Sequence, residues 1–169
     1  MINRTLLIYI TVLLFSVIIN ISLASAKILS AKVSVDGLAC PFCAYGVEKK
    51  LKRVKGVGSM DIRMQEGTVT LTAEQGQSID FAEVPGAIKN SGFSMRQMKL
   101  VASGTVMEED GNLFLRYEGP GERLALKDVG PALRDKLTIS KTVIVKGYVT
   151  GKPGGPWSLK PESVEDVAK

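Results

Sequence analysis

The chain has 169 residues, 45% of them hydrophobic, and carries two cysteines and no histidine. Its net charge of +5 at pH 7 is modest, and an excess of this size does not by itself imply a nucleic acid or a membrane surface as partner. Without histidine, a soft-metal or redox site has to rest on Cys40 and Cys43,.

The first residues read as targeting sequence. Met1 to Thr5 carries one positive charge at Arg4, an apolar stretch runs from Leu6 to about Ser22, and Ala24-Ser25-Ala26 supplies small residues of the A-x-A type,. Residues 1–26 are therefore expected to be a signal peptide, cleaved after Ala26, with the protein periplasmic or otherwise exported. The apolar stretch approaches the roughly 20 residues of a membrane span, so the competing reading is an uncleaved anchor over residues 6–24 in the inner membrane. Asn20 and the small-residue site favour cleavage and a soluble mature protein. Cys40 lies well downstream of the cleavage point, which does not support lipid attachment there.

Over residues 27–102 the elements alternate in an ordered way. Ile28 to Val35 reads as a strand ended by Asp36-Gly37,. After the loop Gly37-Leu38-Ala39-Cys40-Pro41-Phe42-Cys43, the residues Cys43, Val47, Leu51 and Val54 recur at helical spacing, and Gly56 ends that helix,. Lys49, Lys50, Lys52 and Arg53 fall elsewhere on its surface, as a solvated face that could steer docking onto an acidic partner. Ser59 to Met64 and Thr68 to Thr72 form a hairpin across Gln65-Glu66-Gly67, with Met60, Ile62 and Met64 on one face,. A second helix falls within Phe81 to Asn90, with Ile79, Val84 and Ile88 as apolar anchors, and Phe93 to Val101 is the fourth strand. The resulting βαββαβ order is the split βαβ of ferredoxin-like folds.

Thiolates at i and i+3, where a loop enters a helix, can converge on one ion, and the helix N-terminus favours their ionised form. A disulfide between them would close a very short loop and contribute little stability. Two thiolates without histidine suit Cu(I) or Hg(II) in low coordination, whereas Zn(II) or Cd(II) would need further ligands from solvent or a partner. Cys40, in the loop, is expected to be the more exposed thiol and Cys43, on the apolar stripe, the more buried. The methionines Met60, Met64, Met95, Met98 and Met107 are spread along strands and read as packing residues.

These residues resemble the heavy-metal-associated domain found in copper chaperones, metal-transporting ATPases and periplasmic mercury-binding proteins. The resemblance is carried by Val33-x-Val35-x-Gly37-Leu38-x-Cys40-x-x-Cys43, Val47-Glu48-x-x-Leu51, Lys55-Gly56-Val57, the hairpin and Gly92-Phe93. It implies that Cys40 and Cys43 bind a soft metal and that the partner is a metal donor or acceptor protein, membrane metal transporters among them. The family's usual residue at the Leu38 position is methionine, which packs beneath the loop, and leucine keeps that role. Pro41-Phe42 is less usual and resembles the Cys-Pro-aromatic-Cys of glutaredoxins. That keeps open a periplasmic thiol-disulfide oxidoreductase with Cys40 as nucleophile and Cys43 as resolving thiol. A hairpin directly after the first helix argues against that fold. A third reading is an interaction module whose disulfide is idle.

Residues 103–169 read as short strands. Thr105 to Glu109, Leu113 to Glu118 and Arg123 to Lys127 precede a short helix at Pro131 to Lys136, and Thr142 to Thr150 and Trp157 to Val167 follow it,. Three strands, a helix and two strands is the order of a five-stranded OB-type β-barrel, and the run Val143-x-Val145-x-Gly147-x-Val149 with Trp157-x-Leu159 resembles small bacterial exported OB-type domains. Tyr117, Tyr148 and Trp157 are too few for a base-stacking surface, so no nucleic acid is expected. The fold class is thus α+β, and the function a non-enzymatic metal carrier.

Overall fold

The computed structural model describes residues 26–119, 121–152 and 154–167. The expected signal peptide falls on residues 1–26 and so lies, Ala26 apart, outside them. No helix among the described residues is long and apolar enough to cross a membrane. The expected βαββαβ order is present: β1 (Ile28–Asp36), α1 (Pro41–Leu51), β2 (Val57–Arg63), β3 (Thr68–Ala73), α2 (Val84–Lys89) and β4 (Ser94–Glu109).

The sheet order in this half is β2-β3-β1-β4, with β1 held between two antiparallel neighbours. Ala31, Val33 and Val35 of β1 share a face with Val69 and Leu71 of β3 and with Met98 and Leu100 of β4, and all are buried. Ile28 joins the same core because a register shift between Ile28 and Ser30 moves it onto that face,. Val47, Leu51 and Val54 from the first helical stretch and Val84 and Ile88 from α2 cover these residues. The opposite face presents Lys32, Ser34, Thr70 and Thr72. The hairpin turns through a 3-10 segment, Met64–Glu66, which removes Met64 from the face it was expected to share with Met60 and Ile62. It is 40% exposed, while the other two pack against the core.

The fourth strand is longer than expected. β4 runs unbroken for 16 residues and crosses the expected boundary between residues 102 and 103, so the strand expected at Thr105 to Glu109 is its second half. Gly104, where the sequence pattern changes, lies inside β4. A Cβ there would stand 2.6 Å from the Arg116 carbonyl oxygen and 2.6 Å from Leu115 Cγ, so this glycine allows a close backbone crossing and does not end the strand.

The remaining elements are β5 (Asn112–Arg116), β6 (Arg123–Leu126), α3 (Pro131–Arg134), β7 (Thr142–Thr150) and β8 (Ser158–Asp166). β4 pairs with β5, β5 with β6, β6 with β8 in parallel, β8 with β7, and β7 back onto β4. The β6–β8 pairing spans only Ala125↔Ser158 and Leu126↔Leu159. All eight strands belong to one sheet, and the side chains inside the ring of pairings, among them Val106, Leu115, Leu124, Val145 and Leu159, belong to the same hydrophobic cluster as Val47 and Leu51.

The segment before α2 ties the two halves together. Phe81, 1% exposed, lies 5.5 Å from the Trp157 ring in an edge arrangement and 6.3 Å from Tyr117. Tyr117 and Trp157 thus serve packing, with Phe81 as their partner. Backbone bonds from Ser103 N–H to the Lys27 carbonyl and from Glu118 N–H to the Ala26 carbonyl add to the seam. Phe81→Ala would remove the ring that fills it, at a cost of about 3–5 kcal/mol, and chemical denaturation should register that loss in one transition for both halves.

Asp80 also sits at this seam, and its Oδ1 is buried without a hydrogen-bond partner among the described residues. Burial raises its pKa and Glu83 adds to the rise, while the Ala82 and Glu83 amides and Lys55 oppose it. Burial, with the Asp80 carboxylate, pushes the nearby Tyr117 hydroxyl up to about 12. A carboxyl whose folded pKa is raised favours the native state when protonated. Its contribution is therefore greatest below the unfolded value and declines as pH climbs from there through the folded one. Asp80→Asn should raise the thermal midpoint at pH 7, with the gap to wild type closing as the buffer is taken below pH 4.

Candidate metal centre

β1 ends at Asp36, whose carboxylate is paired with Arg96 at 2.7 Å. The chain then reverses through Gly37 at φ +78°, a left-handed conformation that glycine adopts without strain, and Ala39 N–H closes the turn on the Gly37 carbonyl at 2.8 Å. Leu38 points inward and is 2% exposed, which pins the middle of the loop to the core, as expected. Cys40 follows as the N-cap of α1, in extended conformation, with Pro41 beginning the helix, where its missing N–H leaves no donor unsatisfied.

Cys40 and Cys43 come together, with Cα atoms 5.2 Å apart and their sulfurs joined in a disulfide. The Cys43 N–H donates to Cys40 Sγ at 3.1 Å, a place where most helices carry a serine, threonine or aspartate oxygen. Once the bond is reduced, that N–H and the helix dipole favour a thiolate at Cys40. Both cysteines are partly buried, so Cys43 is not enclosed by the core although it begins the apolar stripe. The reason is positional: Cys43 lies in the first turn of α1, above the point where the apolar stripe enters the core at Val47.

No group of three or more histidine, cysteine or acidic side chains that could hold a metal exists among the described residues. The chemistry within reach is therefore that of two sulfurs: a thiophilic ion in low coordination when reduced, or thiol-disulfide exchange. Of the methionines, Met98 is buried in the core and Met60 and Met95 pack against it.

The N-terminal part of α1 carries exposed aromatic side chains, and its C-terminal end exposed cations. Phe42 is 91% and Tyr45 66% exposed. Tyr45 falls off the stripe of Cys43, Val47 and Leu51, which places it on the surface, but no local pattern singles it out. Among the helix cations, Lys52 is engaged by Glu48 at 2.5 Å, leaving Lys49 and Arg53 as the outward charges.

Comparison with known proteins bears on this half of the chain. Residues 32–94, which contain both cysteines, match the family model of the heavy-metal-associated domain. Copper-transporting ATPase 1 of Rhizobium meliloti (strain 1021) is 29% identical over 86 residues, 50% of this chain and 10% of that protein, so the chain spans about a tenth of the length of this curated relative. Among solved structures, the CopZ metallochaperone is 24% identical with a TM-score of 0.36, over 40% of this chain and 98% of that one. Oxidised MerP from Ralstonia metallidurans CH34 is 21% identical with a TM-score of 0.35, over 40% and 92%.

Leu38 decides how firmly the loop is held. Leu38→Met, which nearly conserves volume, should cost under about 1.5 kcal/mol. Leu38→Ala, which leaves a cavity beneath the cysteines, should cost about 2–5 kcal/mol, and urea titration of the two variants side by side checks the ordering.

Proposed function

We propose that this protein is an exported metal carrier that captures a thiophilic ion, Cu(I) or Hg(II), between Cys40 and Cys43 and passes it to a partner protein. The observation that carries the reading is the placement of two sulfurs on the first turn of α1, inside the segment that matches a heavy-metal-associated domain, with no third donor grouped with them among the described residues. Two thiolates satisfy a linear soft cation, whereas a structural Zn(II) site takes four ligands. An incompletely coordinated ion at two cysteines that are not buried can be taken by an incoming thiolate, which is what a carrier requires.

Cleavage after Ala26 would place the protein in an oxidising compartment, and the anchor over residues 6–24 is the alternative. The ring β4-β5-β6-β8-β7, with its single parallel pair, is what an OB-type barrel would contain, and we assign it a spacer or partner-binding role with no nucleic acid. Metal donors, acceptors and membrane transporters are the partners that suit the cargo. The dithiol oxidoreductase remains the second reading because Cys40 and Cys43 are joined in a disulfide around a Pro-Phe pair.

Cys40→Ser and Cys43→Ser should each abolish stoichiometric uptake of Cu(I) and Hg(II) by the reduced protein and leave its far-ultraviolet circular dichroism unchanged, because neither side chain belongs to the core. Uptake by Cys40→Ser with wild-type affinity would remove the site assignment. Turnover of a model disulfide by the wild type, lost in the same variant, would favour the oxidoreductase.

A further inference from the structure

The disulfide between Cys40 and Cys43 leaves no thiolate for a metal ion, so two electrons have to reach this bond before any ion can load. We propose that a partner protein dithiol supplies them, docking over Phe42 and Tyr45 and attacking Cys43 with Cys40 as the leaving sulfur. The need for reduction rests on the carrier reading; the docking and the order of attack rest on geometry.

Single exposed hydrophobic residues are ordinary on protein surfaces, but these two are adjacent. Phe42 and Tyr45 stand at i and i+3, neighbours on one helix face, and both flank Cys43. At 91% and 66% exposure they are the most open of the large hydrophobic side chains among the described residues. Aromatic residues left open in this way are typical anchors of interfaces. The occupant follows from the disulfide that these residues adjoin in sequence, at the start of the same helix. A metal donor finds no thiolate to accept its ion in this state, whereas a thiolate finds a disulfide to reduce. Lys49 in the last turn of α1 and Arg53 just beyond it, both exposed, suit a partner with an acidic rim.

The exchange balances as follows. A partner thiolate attacks Cys43 Sγ, the bond to Cys40 Sγ breaks, and its electron pair leaves on Cys40, where the Cys43 N–H at 3.1 Å and the N-terminal turn of α1 stabilise the charge. The partner's second thiol, its proton given to water, then attacks the mixed disulfide and expels the Cys43 thiolate. The partner ends oxidised by two electrons, and Cys40 and Cys43 end reduced.

The test uses the oxidised full chain with reduced thioredoxin as protein dithiol and dithiothreitol as small dithiol, counting free thiols with time. For the double variant Phe42→Ser/Tyr45→Ser the thioredoxin rate should fall about tenfold relative to the dithiothreitol rate, and an unchanged ratio would overturn the docking surface. Glutathione, a monothiol, traps the first step. An adduct on Cys43 with Cys40 open to alkylation supports the order of attack, and an adduct on Cys40 overturns it. Failure of the dithiothreitol-reduced wild type to bind either ion would instead defeat the carrier reading and leave the reduction results standing.

Discussion

The structure depends on β4 being held on both edges. Leu100 pairs with Ala31 of β1 on one side and with Gly147 of β7 on the other, and Ala102 is held in the same way between Ile28 and Val145. Strand β1, clamped between β3 and β4, in turn carries the cysteine loop at its end. The loop therefore hangs from a central strand with both ladders satisfied, and Leu38 and Val47 fasten it to the core on either side of the sulfurs. A site whose backbone is fixed in this way loses less entropy on closing around an ion than a free loop would.

The same anchoring explains why the sulfurs themselves stay near solvent. The stripe of α1 reaches the core only at Val47 and Leu51, so the first turn stands clear of it, with Phe42 and Tyr45 outermost. A site built to keep an ion would close this approach with further donors or with bulk. The cysteines instead have one backbone N–H on Cys40 Sγ and two exposed aromatic residues beside them in sequence, which fits the proposed exchange with another protein better than permanent retention.

The first half of the chain was legible because each element announces itself locally. Alternation in Ile28 to Val35, helical spacing from Cys43 to Val54 and a turn at Gln65-Glu66-Gly67 each point to one element, and the cysteines fall between two of them. The expected strands of the second half also lie where β5 to β8 are found, within a residue or two. What sequence could not give was long-range. Gly104 reads as a break because local pattern does not reveal that β5 crosses there at 2.6 Å. Phe81 looks like an ordinary helix residue until Trp157, far along the chain, is packed against its edge. Met64 leaves its expected face because the hairpin turns through a 3-10 segment. At the site, the spacing of the cysteines pointed to their meeting, as they do in the structure, whereas how deeply Cys43 sits depends on how far α1 projects before its stripe meets the sheet.

The most direct measurement is titration of the fully reduced protein with Cu(I) and Hg(II) under competing chelators, with intact mass and free-thiol count read at each step. A two-thiolate carrier takes up one ion per chain and loses both thiols together, with Zn(II) displaced at equal concentration. Retention of a free thiol at saturation, or Zn(II) held against either soft ion, would contradict a two-thiolate carrier.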